Sequence, residues 1–234
     1  MAFATLEFSD RVAEITIDYP PGNMISLALL DELKIVLEIV QDEMPPAVLL
    51  KAAGKDFCLG TEYPGGPGQA LSALQTMVKR FDQVISAVER IRVPTIAMVQ
   101  GDCLAGGFQL ALSCDFIIAA RTAQFAFPEP AFGFPPAHAG LAQLADRIGR
   151  SRAIELALLG SVVDADEMER LNVVSRVVED QRLEQEARAL AHRIAGGSAK
   201  GHICAKALLD FWSSGGTEGA RRAVPWLARA YFAS

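Results

Sequence analysis

The chain predicts an α/β fold with a helical C-terminal region, and three observations carry that reading. Short apolar runs of strand length recur at 47–52, 94–99 and 115–119. Longer stretches with helical periodicity lie around them, and the last third is mostly helical in pattern. The repeating strand–strand–helix order of the first two-thirds implies a core of stacked turns.

Residues 4–8 and 12–18 alternate apolar and polar side chains, which predicts a hairpin about Ser9-Asp10-Arg11. Tyr19-Pro20-Pro21-Gly22-Asn23 stops the second strand. Ser26 is placed to N-cap a helix reaching about residue 41, with Asp31 and Glu32 near its front. A buried strand follows Pro45-Pro46 at 47–52. Residues 53–68 hold five glycines and two prolines and must be a loop. Helical periodicity then runs over 69–91, with Leu71, Leu74, Val78, Phe81, Ile85 and Val88 on one stripe.

The strand at 94–99 leads to the turn Gly101-Asp102, then a short helix at 107–113 and strands at 115–119 and 124–127. Beyond Phe134-Pro135-Pro136 the pattern gives helices near 140–148, 151–159 and 164–171, then a strand at 174–178. Helices near 181–194, 198–212 and 218–231 complete the chain. No low-complexity linker intervenes, so one soft boundary near 180 separates a core (1–180) from a helical region (181–234).

With 51% hydrophobic residues in 234, the chain can bury a large core and is not disordered. A net charge of -6 argues against general affinity for nucleic acid or an anionic membrane. The N-terminus lacks the basic and long apolar stretches of a signal peptide, and the apolar run between Asp102 and Asp115 is too short to span a bilayer. Cys58, Cys103, Cys114 and Cys204 sit in apolar surroundings without CxxC spacing, which reads as reduced, buried thiols of a cytoplasmic protein. The three histidines stand at no metal-ligand spacing, so no metal is expected.

Two glycine-bearing loops and one carboxylate carry the chemistry: Phe57-Cys58-Leu59-Gly60-Thr61-Glu62, Leu104-Ala105-Gly106-Gly107, and Pro128-Glu129-Pro130. Gly106 opens a short apolar helix, so its N–H has no intrahelical acceptor, and a glycine lets a ligand approach closely. Close packing of helix on strand would account for the same pair of glycines. Gly60 can serve a tight turn, or let Thr61 aim its N–H at the oxygen that Gly106 meets. Between two prolines Glu129 is expected in an extended loop, either solvated or able to move a proton.

In combination these segments resemble the crotonase (enoyl-CoA hydratase/isomerase) superfamily over nearly the whole chain. The resemblance rests on Pro-Pro-Gly-Asn-Met-Ile-Ser at 20–26, Gly-Lys-Asp-Phe-Cys-Leu-Gly-Thr-Glu at 54–62, and Val-Gln-Gly-Asp-Cys-Leu-Ala-Gly-Gly at 99–107 with Cys114-Asp115. It extends through Ala-Gln-Phe-Ala-Phe-Pro-Glu at 123–129, Ile148-Gly149-Arg150, Ala153, Leu158 and Gly160. It implies a coiled ββα core holding an acyl-CoA site, acyl-CoA or acyl-carrier-protein thioester substrates, and a homotrimer or hexamer. Coenzyme A would be part of the substrate, and no separate cofactor is called for. By the same resemblance the Thr61 and Gly106 N–H groups would bind the thioester oxygen, each worth roughly 3 kcal/mol to an enolate. Thr61, Glu62, Tyr63 and Pro64 would line the acyl-CoA site.

Hydratases of the family hold water between two glutamates. Here Glu129 stands at the second position and Gln109 at the first. An amide orients water but does not accept its proton. The family's Δ3,Δ2-enoyl-CoA isomerases resemble this arrangement, so Glu129 is expected to carry a proton from C2 to C4. The alternatives are a hydratase or dehydratase with Gln109 orienting water and Tyr63 assisting, a polyketide-type decarboxylase, or an impaired acyl-CoA-binding protein. Gly133-Phe134-Pro135-Pro136-Ala137-His138 departs from the family's Pro-Gly-Ala-Gly-Gly, with His138 a surface or site residue. The family's last helix, which covers the CoA, is expected to be absent or different, since 218–234 resembles its penultimate one.

Overall fold

A computed structural model describes residues 2–62, 70–133 and 139–232. The first elements are β1 (Ala4–Ser9), β2 (Val12–Ile17), α1 (Leu27–Glu43), β3 (Ala47–Ala52) and α2 (Ala70–Glu89). Then come β4 (Thr95–Val99), β5 (Asp102–Leu104), α3 (Gly106–Leu112), β6 (Phe116–Ala120) and β7 (Gln124–Ala126). After a 3-10 turn at Glu129–Phe132 follow α4 (Gly140–Ile148), α5 (Arg150–Leu159), β8 (Val163–Asp164), α6 (Ala165–Arg170) and β9 (Arg176–Val178). A second 3-10 turn, α7 (Leu183–Ala195) and α8 (Ala199–Phe232) end the chain.

The main sheet has the order β1-β2-β3-β4-β6-β9, and the small one β5-β7-β8. β1 and β2 form the expected hairpin, with Asp10 and Arg11 both at positive φ in the two-residue turn that matches strand twist. Every later pairing in the main sheet is parallel, so its strands need cover on both faces. On one face Ile15, Val48 and Leu50 meet Leu33 and Leu37 of α1 and Val84 and Val88 of α2. α7 packs against β2, β3, β4 and β6.

That cover explains why the alternation in β2 does not mark a solvated face. Glu14 is only 4% exposed; it accepts hydrogen bonds from Lys51 Nζ (2.6 Å) and Arg188 of α7 (2.8 Å). Burial pushes the Glu14 carboxyl up, but the two cations outweigh it and hold the group below the usual range. Ser26 caps α1 as expected, accepting from Leu29 N–H at 3.2 Å. Glu32 serves the sheet, accepting from the N–H groups of Phe3 (2.6 Å) and Ala4 (2.9 Å).

Two expectations need correction. Residues 102–104 form strand β5, because their backbone pairs with β7. Leu71 does not belong to the buried stripe of α2: it is exposed, and burial begins at Met77, continuing through Phe81, Val84, Ile85 and Val88. The last two helices are separated by a single non-helical residue, Gly216 (φ 60, ψ -162). There α8 folds back, setting Phe211 against Trp226 (ring centroids 6.1 Å apart) and Cys204 Sγ 3.8 Å from the Leu227 carbonyl.

Candidate active site

Thr61 and Gly106 are 45 residues apart in sequence and touch in space: a Cβ built on Gly106 would collide with Thr61 Oγ1 and lie 3.1 Å from Ile25 Cδ1. The segment bearing Thr61 runs beside Ile25, whose N–H donates to Gly60 O (2.8 Å) and whose carbonyl accepts from Glu62 N–H (2.9 Å). That parallel bridge uses the groups on either side of Thr61 and leaves the Thr61 N–H outside the ladder. Gly106 is the first residue of α3, so its N–H also has no acceptor within the helix. Among the described residues, two backbone donors without a backbone acceptor therefore belong to residues in contact, at the positive end of a helix.

The backbone before Gly106 is held in a costly conformation. Ala105, the N-cap of α3, has φ 50 and ψ -121, a region L-residues rarely occupy and that costs about 1–3 kcal/mol. Its N–H donates to Ala126 O at 2.9 Å, pinning the turn to β7. Gly107 then sits on Cys58, where an added Cβ would lie 2.5 Å from both Cys58 Cβ and O. At the other end of α3, Arg147 donates to the carbonyls of Leu112 and Cys114 (2.8 Å each) and Val173 (3.1 Å). Its cation faces the negative helix terminus.

β5 and β7 run parallel with Leu104 opposite Ala126, so α3 and the turn after β7 leave the same end of the small sheet. One carries Gln109 and the other Glu129. Gln109 is 3% exposed, its stem pressed against Gly140, where a Cβ would come within 3.0 Å of Gln109 Cβ and Cγ and of Phe127 Cζ. Glu129 is 9% exposed, and burial raises its carboxyl above the ordinary value. Among the described residues neither Gln109 Nε2 nor Glu129 Oε2, both buried, has a hydrogen-bond partner. A buried polar atom left unpaired is costly and marks a position available to a ligand.

The expected extended loop at Glu129 is corrected: Glu129–Phe132 is a 3-10 turn. Glu129 is the first residue of this turn, and Pro130, the second, fits there because its fixed φ is helical and its missing N–H is not needed in a first turn. Gly133 (φ 75) closes the turn, donating to Pro130 O at 3.1 Å. Of the other expected site residues, Glu62 is exposed and its N–H donates to Ile25 O. Tyr63, Pro64 and His138 lie outside the described residues.

Ala105 and Gly140 escape sequence reasoning; the Gly-Gly that follows Ala105 was the only local signal, and Gly140 reads as an ordinary helix start. The cysteines are free, and burial pushes the thiol of Cys58 up to about 12, so it is no nucleophile. Among the described residues no group of three or more His, Cys, Asp or Glu side chains could hold a metal ion, and no helix is long and apolar enough to cross a membrane.

The molecule is an α/β fold in which the two glycine-bearing loops touch and Glu129 leaves the same end of the small sheet as Gly106, and known proteins share this fold. The family profile "Enoyl-CoA hydratase/isomerase" matches residues 7–214, and this chain belongs to that family. A probable enoyl-CoA hydratase of Rhizobium meliloti (strain 1021) is 36% identical over 210 residues, which cover 88% of this chain and 81% of that protein. An enoyl-CoA hydratase of Bacillus anthracis has the same crotonase fold, with TM-score 0.94 and 27% identity over 99% of this chain and 92% of that one. A putative enoyl-CoA hydratase of Thermobifida fusca YX, solved in complex with acetoacetyl-CoA, matches with TM-score 0.88 and 28% identity, covering 99% and 95%.

Proposed function

We propose that this chain moves a double bond in an acyl-CoA, from C3 to C2, with Glu129 as the only base. The observation that supports this most is the asymmetry of the acid pair: a buried carboxylate at 129 and an amide at 109. The Glu129 carboxylate takes a proton from C2, and the C2–H electron pair moves toward the thioester carbonyl. The resulting enolate oxygen takes hydrogen bonds from the N–H groups of Thr61 and Gly106, together worth several kcal/mol in a dry site. Protonated Glu129 then delivers its proton to C4 as the double bond settles at C2–C3. Burial suits Glu129 to both steps, since a raised pKa makes it a stronger base and keeps it able to hold the proton between them.

The substrate is an acyl-CoA or acyl-carrier-protein thioester, a reading supported by the complex of the Thermobifida relative with acetoacetyl-CoA. We further propose that a cytoplasmic homotrimer or hexamer forms through the helical region. Exposed Trp212, Trp226 and Phe232 on α8 support that assembly. A hydratase remains the second reading. It is favoured by the unpartnered Gln109 amide, which can hold a water, and by relatives named as hydratases.

Incubation with trans-3-hexenoyl-CoA and with crotonyl-CoA, in oxygen-18-labelled deuterated water, separates the two. Conversion of the 3-enoyl to the 2-enoyl thioester without oxygen-18 is the expected result. Oxygen-18 in a 3-hydroxyacyl product from crotonyl-CoA, with no isomerisation, overturns it in favour of hydration.

A further inference from the structure

We propose that Asn23 is a positioning residue for this reaction: its carboxamide fixes the loop that presents the Thr61 N–H. The inference rests on reading the Thr61 and Gly106 N–H groups as the pair that holds the thioester oxygen.

Asn23 lies in the turn before α1, 3% exposed and at φ 53, a left-handed conformation that asparagine tolerates better than most residues. Its Oδ1 accepts from the Tyr19 N–H at 2.8 Å, and its own N–H returns to Tyr19 O at 2.9 Å. Both hydrogens of Nδ2 are used across the fold, on Ala53 O (2.8 Å) and Asp56 O (2.9 Å). One carboxamide thus closes its own turn and fastens that turn to the start of the loop that ends at Thr61.

The neighbours of Asn23 complete the attachment. Gly22 O accepts from Leu59 N–H at 2.9 Å, and Ile25 exchanges bonds with Gly60 and Glu62. Residues 22–25 therefore lie along 59–62 as a strap. A second strap lies on the other side: Phe57 N–H donates to Gln100 O (2.8 Å) and Cys58 N–H to Asp102 O (3.1 Å). The second strap continues through Ala105 into Gly106. The spacing of the two free N–H groups depends on both straps, and Asn23 locks the first to the loop at two points. A donor displaced by a fraction of an ångström loses much of its hold on a developing charge, because hydrogen bonds weaken steeply with distance and angle.

The test uses the full-length protein and two variants. Asn23→Gly accepts the positive φ and removes only the side-chain bonds. Gly22→Ala disturbs the same strap from its neighbour, since Gly22 has φ 74 and an added Cβ would meet Leu59 Cδ1. The probes are acetoacetyl-CoA, whose bound enolate is followed by ultraviolet absorbance as pH is varied, and butyryl-CoA, which has no acidic C2 proton in this range. Wild-type protein is expected to lower the pH at which bound acetoacetyl-CoA ionises. In either variant that midpoint should rise by about 1–2 pH units and kcat fall about 10–100-fold, with butyryl-CoA affinity within about threefold. Variants that fold, whatever their Tm, and keep the wild-type midpoint would show Asn23 to be structural only and overturn the proposal. Wild-type protein that binds both thioesters without shifting the midpoint would overturn the paired N–H reading, and the proposal with it. If Asn23→Gly does not fold, the Gly22→Ala midpoint decides.

Discussion

Around Thr61 and Gly106 the proposed chemistry belongs to the backbone, and hydrogen bonds accepted by Gly22 and Ala126, donated by Asn23 and exchanged with Ile25 fix where that backbone runs. Around Gln109 and Glu129 the proposed chemistry belongs to buried side-chain atoms that have no partner among the described residues. The first region is over-determined and the second is left open. Donors supplied by the backbone survive most substitutions, so a fold can keep its enolate-stabilising power while one side chain is exchanged to change which proton moves. On the isomerase reading proposed above, the amide at 109 is such an exchange.

The sharpest way to break the comparison is Glu129→Gln, which should lower isomerase kcat about 10²–10⁴-fold while thioester binding stays nearly constant. Steady-state kinetics and calorimetric titration check both halves. The same variant should also be more stable. With a raised folded-state pKa, the wild-type carboxyl costs nothing below the ordinary carboxylate range, and its stability contribution is lost as pH rises through the raised value. Glu129→Gln should therefore melt higher than wild type at about pH 8, with the gap closing toward about pH 4.

Gly106→Ala attacks the backbone side. Its methyl must displace Thr61 Oγ1, and kcat should drop about 10²–10³-fold in a protein that still folds. Gln109→Glu reverses the exchange. A second carboxylate should bring hydration of crotonyl-CoA up by about tenfold, read as oxygen-18 in the product. It should also move the acid limb of the pH profile upward, since a neighbouring negative charge raises Glu129 further. The smallest effect is expected of Ser26→Ala, which removes the cap of α1. Stability should fall by about 1 kcal/mol, and kcat stay within about twofold, because that bond serves Leu29 N–H and not Thr61.

Much of the frame is legible in sequence because burial writes itself into composition. β3, β4 and β6 are apolar runs buried under α7, and the hairpin turn and the Ser26 cap have local chemistry. What escaped depends on partners distant in the chain. β5 is a strand only by virtue of β7, and Glu14 reads as a surface residue until Arg188 meets it. The prolines around Glu129 suggested extension, whereas the first of them caps a 3-10 turn and the second lies within it. Within the site, Thr61, Gly106 and Glu129 stood out through a family resemblance rather than through spacing. Asn23 looked like one more turn residue, because its carbonyl partners lie 30 and 33 positions away.

The bond between Glu14 and Arg188 joins residues 174 positions apart, and that separation is also an interval of time. A ribosome adding about 5–20 residues per second needs about 10–35 s to travel from one to the other. Until then, of the two cations that hold Glu14, only Lys51 has been made, and α7 has not yet reached that face of the sheet. The N-terminal strands must therefore wait, half-covered, for one of the last helices to be made, and this interval is when the chain is most open to a chaperone.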